Sequence, residues 1–182
     1  TGKAMGTVGE SASYTQIRLS PDEKRVAMQG VLSGAGRPLF TLDLGSGITS
    51  GLTFNDEGLW SLGDPVWRPD GRALAFRAQR NGKLAFYQQV LGTRDATVVF
   101  EVPNSRGAPS DWSPDGRFLL FQTTRPAELY AAPLSGDPKP VLLAKSQQGI
   151  DSPHFSPDGK WVSYNTDESG TPETWVASFP AF

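Results

Sequence analysis

The sequence contains a single histidine, His154, three residues after Asp151, and no cysteine. An imidazole near a carboxylate has the chemistry of a general base or of a metal-ligand pair. One histidine without thiolates cannot build a His-rich zinc set, so His154 reads first as a strand residue hydrogen-bonded to a neighbour. Four more carboxylates, Asp22, Asp70, Asp115 and Asp158, each follow a proline directly. An aspartate placed there bonds backbone two residues on. These four are therefore assigned to their own turns, one per unit and well apart, rather than to an acid–base or metal cluster. Asp167-Glu168 lacks the alternating acidic pattern of a calcium loop and reads as a polar hairpin turn. The sequence has no Gly-x-Ser-x-Gly elbow, no Gly-x-x-x-x-Gly-Lys-Ser/Thr loop and no kinase motif set. No catalytic residue, metal or cofactor is assigned on these grounds.

Five tryptophans raise a stacking or carbohydrate reading. Trp67, Trp112, Trp161 and Trp175 fall at repeat-equivalent apolar positions and are expected in the core. Trp60 stands in Asn55-Asp56-Glu57-Gly58-Leu59-Trp60, read as a connector between units, and is the aromatic left for binding.

The elements that must position these residues are set by a repeat. Near-copies of one stretch occur four times: Leu19-Ser20-Pro21-Asp22, Trp67-Arg68-Pro69-Asp70, Trp112-Ser113-Pro114-Asp115 and Phe155-Ser156-Pro157-Asp158. Each is a bulky apolar residue, a polar turn, and then an apolar run. Proline presets φ, the aspartate bonds backbone, and glycine accepts positive φ, so each copy reads as a short-looped β-hairpin. The prolines are spaced by 48, 45 and 43 residues, the period of a propeller blade. The third strands keep the same register: Phe40, Tyr87, Tyr130 and Trp175 each precede an apolar residue by four places. Residues of equal parity share one face of a strand, so the sheets should pack face to face through these aromatics. No segment shows a sustained helical period, which makes the chain all-β.

The 182 residues carry 37% hydrophobic and 20% charged side chains and a net charge of −2. That suits one sizeable core. It leaves no basic footprint for nucleic acid or an anionic membrane surface. No apolar run approaches the roughly 20 residues of a membrane span. Residues 1–13 read as a flexible arm or closing strand, without a basic-then-apolar leader. The four units are placed at about 14–62, 63–107, 108–149 and 150–182. The last lacks an outer strand.

The Ser-Pro-Asp-Gly-Lys/Arg turns, followed by apolar strands ending in an aromatic, resemble the TolB-type (WD-like) β-propeller repeat. Asp111–Phe121 and His154–Phe179 look similar to propellers found C-terminal to bacterial serine/threonine kinases, and related repeats form the propeller of prolyl-oligopeptidase-like enzymes. The resemblance covers roughly residues 14–180. It implies a β-propeller of four blade-like four-stranded repeats and, by family alone, a periplasmic or extracytoplasmic location. Such propellers usually have six or more blades, and an open arc leaves sheet faces in water. The expected remedy is a homo-oligomer in which two chains form one eight-bladed ring. A closing amino-terminal strand, or a longer protein, are the alternatives.

Propeller geometry points to the channel mouth, on the strand leading into each Pro-Asp turn. This nominates Arg18, Asp64, Asp111, Asp151 and His154, with Trp60 as an outlying aromatic. The set is mixed and mostly acidic, which suits a polar or cationic ligand better than a phosphate. The expected function is a non-enzymatic scaffold, a sensor or interaction module for a protein, peptide or small polar ligand. The alternative is a hydrolase using mouth carboxylates as acid and base, which needs two of Asp64, Asp111 and Asp151 within about 5–10 Å.

Overall fold

The computed structural model describes residues 6–9, 12–31, 37–52, 59–102, 107–136 and 139–179, with the backbone alone for residues 59–62. Its unit of construction is the Pro-Asp turn. Ser20 Oγ donates to Asp22 Oδ1 at 2.6 Å, the Lys24 N–H reaches the same oxygen, and the Arg25 N–H donates back to Ser20 Oγ at 2.9 Å. Ser113 with Asp115, and Ser156 with Asp158, repeat this arrangement. Arg68 replaces the serine in the second turn and grips Asp70 through two nitrogens, at 2.9 and 2.6 Å. The third turn residue needs positive φ, supplied by Gly71, Gly116 and Gly159, and by Glu23 at 58° in the first turn. Outside glycine that conformation is uncommon.

Four antiparallel sheets follow one another along the chain. Blade 1 is β1 (Tyr14–Leu19), β2 (Arg25–Gly30), β3 (Leu39–Asp43) and β4 (Thr49–Gly51). Blade 2 is β5 (Leu59–Trp67), β6 (Ala73–Arg80), β7 (Lys83–Val90) and β8 (Ala96–Glu101). Blade 3 is β9 (Gly107–Trp112), β10 (Phe118–Thr124), β11 (Ala127–Pro133) and β12 (Val141–Ser146). Blade 4 is β13 (Asp151–Phe155), β14 (Trp161–Thr166) and β15 (Glu173–Ser178), three strands among the described residues. Every neighbour in a sheet is the next strand in sequence, so only hairpin connections are needed.

β5 corrects one expectation. It begins at Leu59, so the backbone of Trp60 is a strand residue paired with Gln79 rather than part of a connector. Register shifts on either side of Gly63 absorb Gly63-Asp64-Pro65, which the sequence presents as a break. The Trp60 side chain lies outside the described residues.

The core is the set of seams between blades. Period-2 alternation makes this possible: in β6, Leu74, Phe76 and Ala78 pack on blade 1, while Ala75 packs toward blade 3. At the second seam Phe86, Phe100 and Phe121 pack with Trp112 and Leu119. At the third, Leu120 and Leu129 meet Val162, flanked by Phe155, Tyr164 and Phe179. Each such burial contributes about 1.5–3 kcal/mol.

The end faces differ. Trp67 and Trp112 are 7% and 5% exposed against the preceding blade, whereas Leu19, at the same place in blade 1, is 52% exposed. Trp161 and Trp175, expected in the core, are each 48% exposed. Trp161 lies on the outer face of blade 4, where no further blade of the described residues packs. Trp175 lies on β15, the edge strand of that sheet. The described part of the arm lies on blade 1: a Cβ on Gly9 would sit 3.2 Å from both methyl groups of Leu42.

Candidate functional site

The strands leading into the four turns, β1, β5, β9 and β13, converge on two adjoining cavities. The smaller one, about 230 Å³, is bordered by Gln16, Arg18, Asp64, Asp151 and His154. The larger one, about 440 Å³, is bordered by Arg18, Asp111 and His154 together with Trp67, Trp112 and turn prolines. Five of the six nominated residues border one or both of these cavities, and the side chain of Trp60 falls outside the described residues.

Register explains the convergence. Leu19, Trp67, Trp112 and Phe155 occupy equivalent places opposite Val26, Leu74, Leu119 and Val162. One residue earlier stand Arg18, Val66, Asp111 and His154, one from each blade. A register shift also interrupts the pairing of each of these strands near the mouth. Such bulges re-aim side chains. Asp64 and Ser152 take positive φ at two of them, 59° and 50°.

Asp64 is tied into the seam between blades 1 and 2. Its Oδ1 accepts a hydrogen bond from Gln16 Nε2 at 2.9 Å, and its N–H donates to Gln29 Oε1 at 3.2 Å. Its Oδ2 lies 3.1 Å from Arg77 Nε without an aligned hydrogen bond, so that pair is held by charge alone. Asp111 joins blades 3 and 4. One oxygen accepts the Trp112 N–H and the other the Phe155 N–H, both at 2.8 Å, with His154 Nδ1 3.5 Å from the second oxygen. The carbonyl of Arg18 accepts the indole N–H of Trp67 at 2.9 Å across the first seam. Asp151 begins β13 and is exposed.

Four residues at the site were not singled out from sequence: Gln16, Gln29, Arg77 and Gln122. Three of them carry a signal that was available. Gln29, Arg77 and Gln122, with Asn165, each stand eight places after a turn proline, a polar residue directly after the bulky one at the seventh place. Gln122 holds the Ser110 hydroxyl at 3.3 Å, as Gln29 and Arg77 hold Asp64.

The turn carboxylates serve the fold. A seryl hydroxyl, then a backbone N–H, keeps Asp22 and Asp158 below the usual carboxylate range, and Arg68 does so for Asp70. Asp115 is lowered to about 2: burial works against the charge most strongly, but bonds from Ser113 and Arg117 together outweigh it. Among the described residues His154 stands beside Asp111, 3.5 Å from its second oxygen. Among the described residues no hydroxyl is hydrogen-bonded to His154, and no group of three or more His, Asp and Glu could hold a metal ion.

Residues 64–180 match the TolB beta propeller domain. The chain is 28% identical over 154 residues to the uncharacterized peptidase YuxL of Bacillus subtilis, covering 60% of this chain and 23% of that protein. It is 25% identical over 153 residues to the uncharacterized protein Atu1656 of Agrobacterium fabrum, covering 82% and 50%. The fold superposes on TolB from Acinetobacter baumannii with a TM-score of 0.74 at 22% identity, covering 92% of this chain and 41% of that one. The chain spans half or less of the length of each of these three relatives.

Proposed function

We propose a function from the premise that the chain belongs to the TolB beta propeller family: it is a non-enzymatic binding module that presents its axial mouth to a protein, peptide or small polar ligand. The observation that carries this reading is the convergence of Arg18, Asp64, Asp111, Asp151 and His154, from all four blades, on adjoining cavities. The seams around them are packed, so the polar groups are held in place before a ligand arrives, which reduces the ordering cost of binding.

A hydrolase reading draws on the contact of His154 with Asp111 and on the relative named as a peptidase. It is the weaker reading, because both Asp111 oxygens already hold backbone N–H groups. No hydroxyl nucleophile is bonded to His154 among the described residues.

The test uses the purified chain on an array of short peptides, with p-nitrophenyl acetate and alanyl-p-nitroanilide as turnover substrates. The binding reading expects peptide capture that His154→Ala combined with Asp151→Lys removes, and no turnover. Turnover abolished by His154→Ala would transfer the proposal to the hydrolase. Capture indifferent to the double substitution would remove the mouth from the account.

A further inference from the structure

The charged groups at the mouth are not equally available to a ligand. Asp64 is engaged by Arg77 at 3.1 Å and by Gln16 at 2.9 Å. Asp111 is engaged by two backbone N–H groups, with His154 close by. Two groups remain. Arg18 borders both cavities, and among the described residues no ion pair or hydrogen bond engages its guanidinium. Asp151 borders the smaller cavity and is exposed. The acidic excess suggested by residue counts disappears once the internal partners are set aside.

We infer that the mouth is a carboxylate-binding site, in which a ligand carboxylate lies against Arg18 and a neighbouring N–H or O–H of the same ligand donates to Asp151. This rests on the binding-module reading and names its chemistry. A guanidinium presents N–H donors in a planar fork that matches the two oxygens of a carboxylate. Partial enclosure strengthens the attraction relative to open water. A ligand that also carries an N–H or O–H can donate to the Asp151 carboxylate, which a bare anion cannot do. A cationic ligand would meet Arg18 while Asp64 and Asp111 are already engaged. An inorganic phosphate would bring more negative charge beside Asp151 and little donor capacity. The fitting chemistry is a hydroxy acid or the carboxyl terminus of a peptide.

Isothermal titration with lactate, trialanine, trialanine amide and inorganic phosphate tests this on the whole chain. Lactate or trialanine should bind, with the amide at least tenfold weaker, and added salt should weaken the interaction. Lactate alone points to a small acid as the source; trialanine alone points to a chain terminus. Arg18→Gln should reduce affinity at least tenfold and Arg18→Lys less, because lysine keeps the charge and loses the fork. Arg18 is exposed, so thermal melts of both variants should match the parent. Equal binding of trialanine and its amide overturns the carboxylate assignment and leaves the module intact. Phosphate binding tighter than either carboxylate overturns it as well. Absence of heat with every probe also overturns it, while the peptide array judges the module separately.

Discussion

Phe121 at the seam between blades 2 and 3 offers a direct test of how the propeller is held together. Its ring lies 5.5 Å from Phe86 and 5.4 Å from Phe100 across the seam, and 5.1 Å from Tyr130 within its own sheet. It is 2% exposed. Replacing a buried phenylalanine by alanine costs about 3–5 kcal/mol, through lost transfer energy and the cavity left behind. Three aromatic partners, each contributing about 0.5–1.5 kcal/mol beyond area, place Phe121→Ala at the upper end, about 4–5 kcal/mol. That is a large part of the roughly 5–15 kcal/mol that holds a typical domain folded. With a urea slope of about 2 kcal/mol per molar, the midpoint should fall by about 2 M. Trp161→Ala is the matched control. This side chain is larger but half-exposed on an outer face, so about 1 kcal/mol or less is expected. Urea unfolding followed by far-ultraviolet circular dichroism reads both. Equal losses for the two variants, or a loss under about 1 kcal/mol for Phe121→Ala, would refute seam packing as the source of stability.

The remaining predictions are narrower. The carboxyl of Asp115, lowered to about 2, stabilises the fold above the ordinary carboxyl value near 4, and that contribution is lost as pH falls through about 2. Allowing for its half-exposure, it is about 1 kcal/mol, and Asp115→Asn should flatten the acid limb of a melting-temperature profile by that amount. Gly63→Ala should destabilise by about 2–3 kcal/mol in thermal melts, because φ is +96° and a Cβ would lie 1.9 Å from the fully buried Gln29 amide. Trp67→Phe removes the indole bond to the Arg18 carbonyl and should cost about 1 kcal/mol in urea unfolding. The two-chain ring expected from the sequence is checked by solution mass: twice 19.6 kDa supports it and 19.6 kDa removes it.

The period of the chain and its turns were readable directly, because that chemistry is local. A proline, an aspartate bonding the backbone two residues on, and in three of the four turns a glycine at positive φ define each hairpin within a few residues. Parity along the strands then indicated which side chains face a neighbouring blade, and Phe76, Phe121 and Tyr87 follow it. The equivalence of Trp161 with Ala73 and Phe118 did not predict its burial, because burial depends on whether another blade packs there. β5 was read short because Gly63 and Pro65 resemble a break until a bulge accommodates them.

At the mouth, the repeat register nominated Arg18, Asp64, Asp111, Asp151 and His154, since propeller topology brings equivalent strands toward one axis. Which of their charges stay available was decided in three dimensions. Gln16 meets Asp64 across 48 residues of chain, and Phe155 meets Asp111 across 44. Local patterns cannot reveal such partners, because each bond forms between blades. Charge counted along the chain made the mouth acidic, while pairing across the seams engaged two of its carboxylates and left the Arg18 guanidinium unengaged among the described residues.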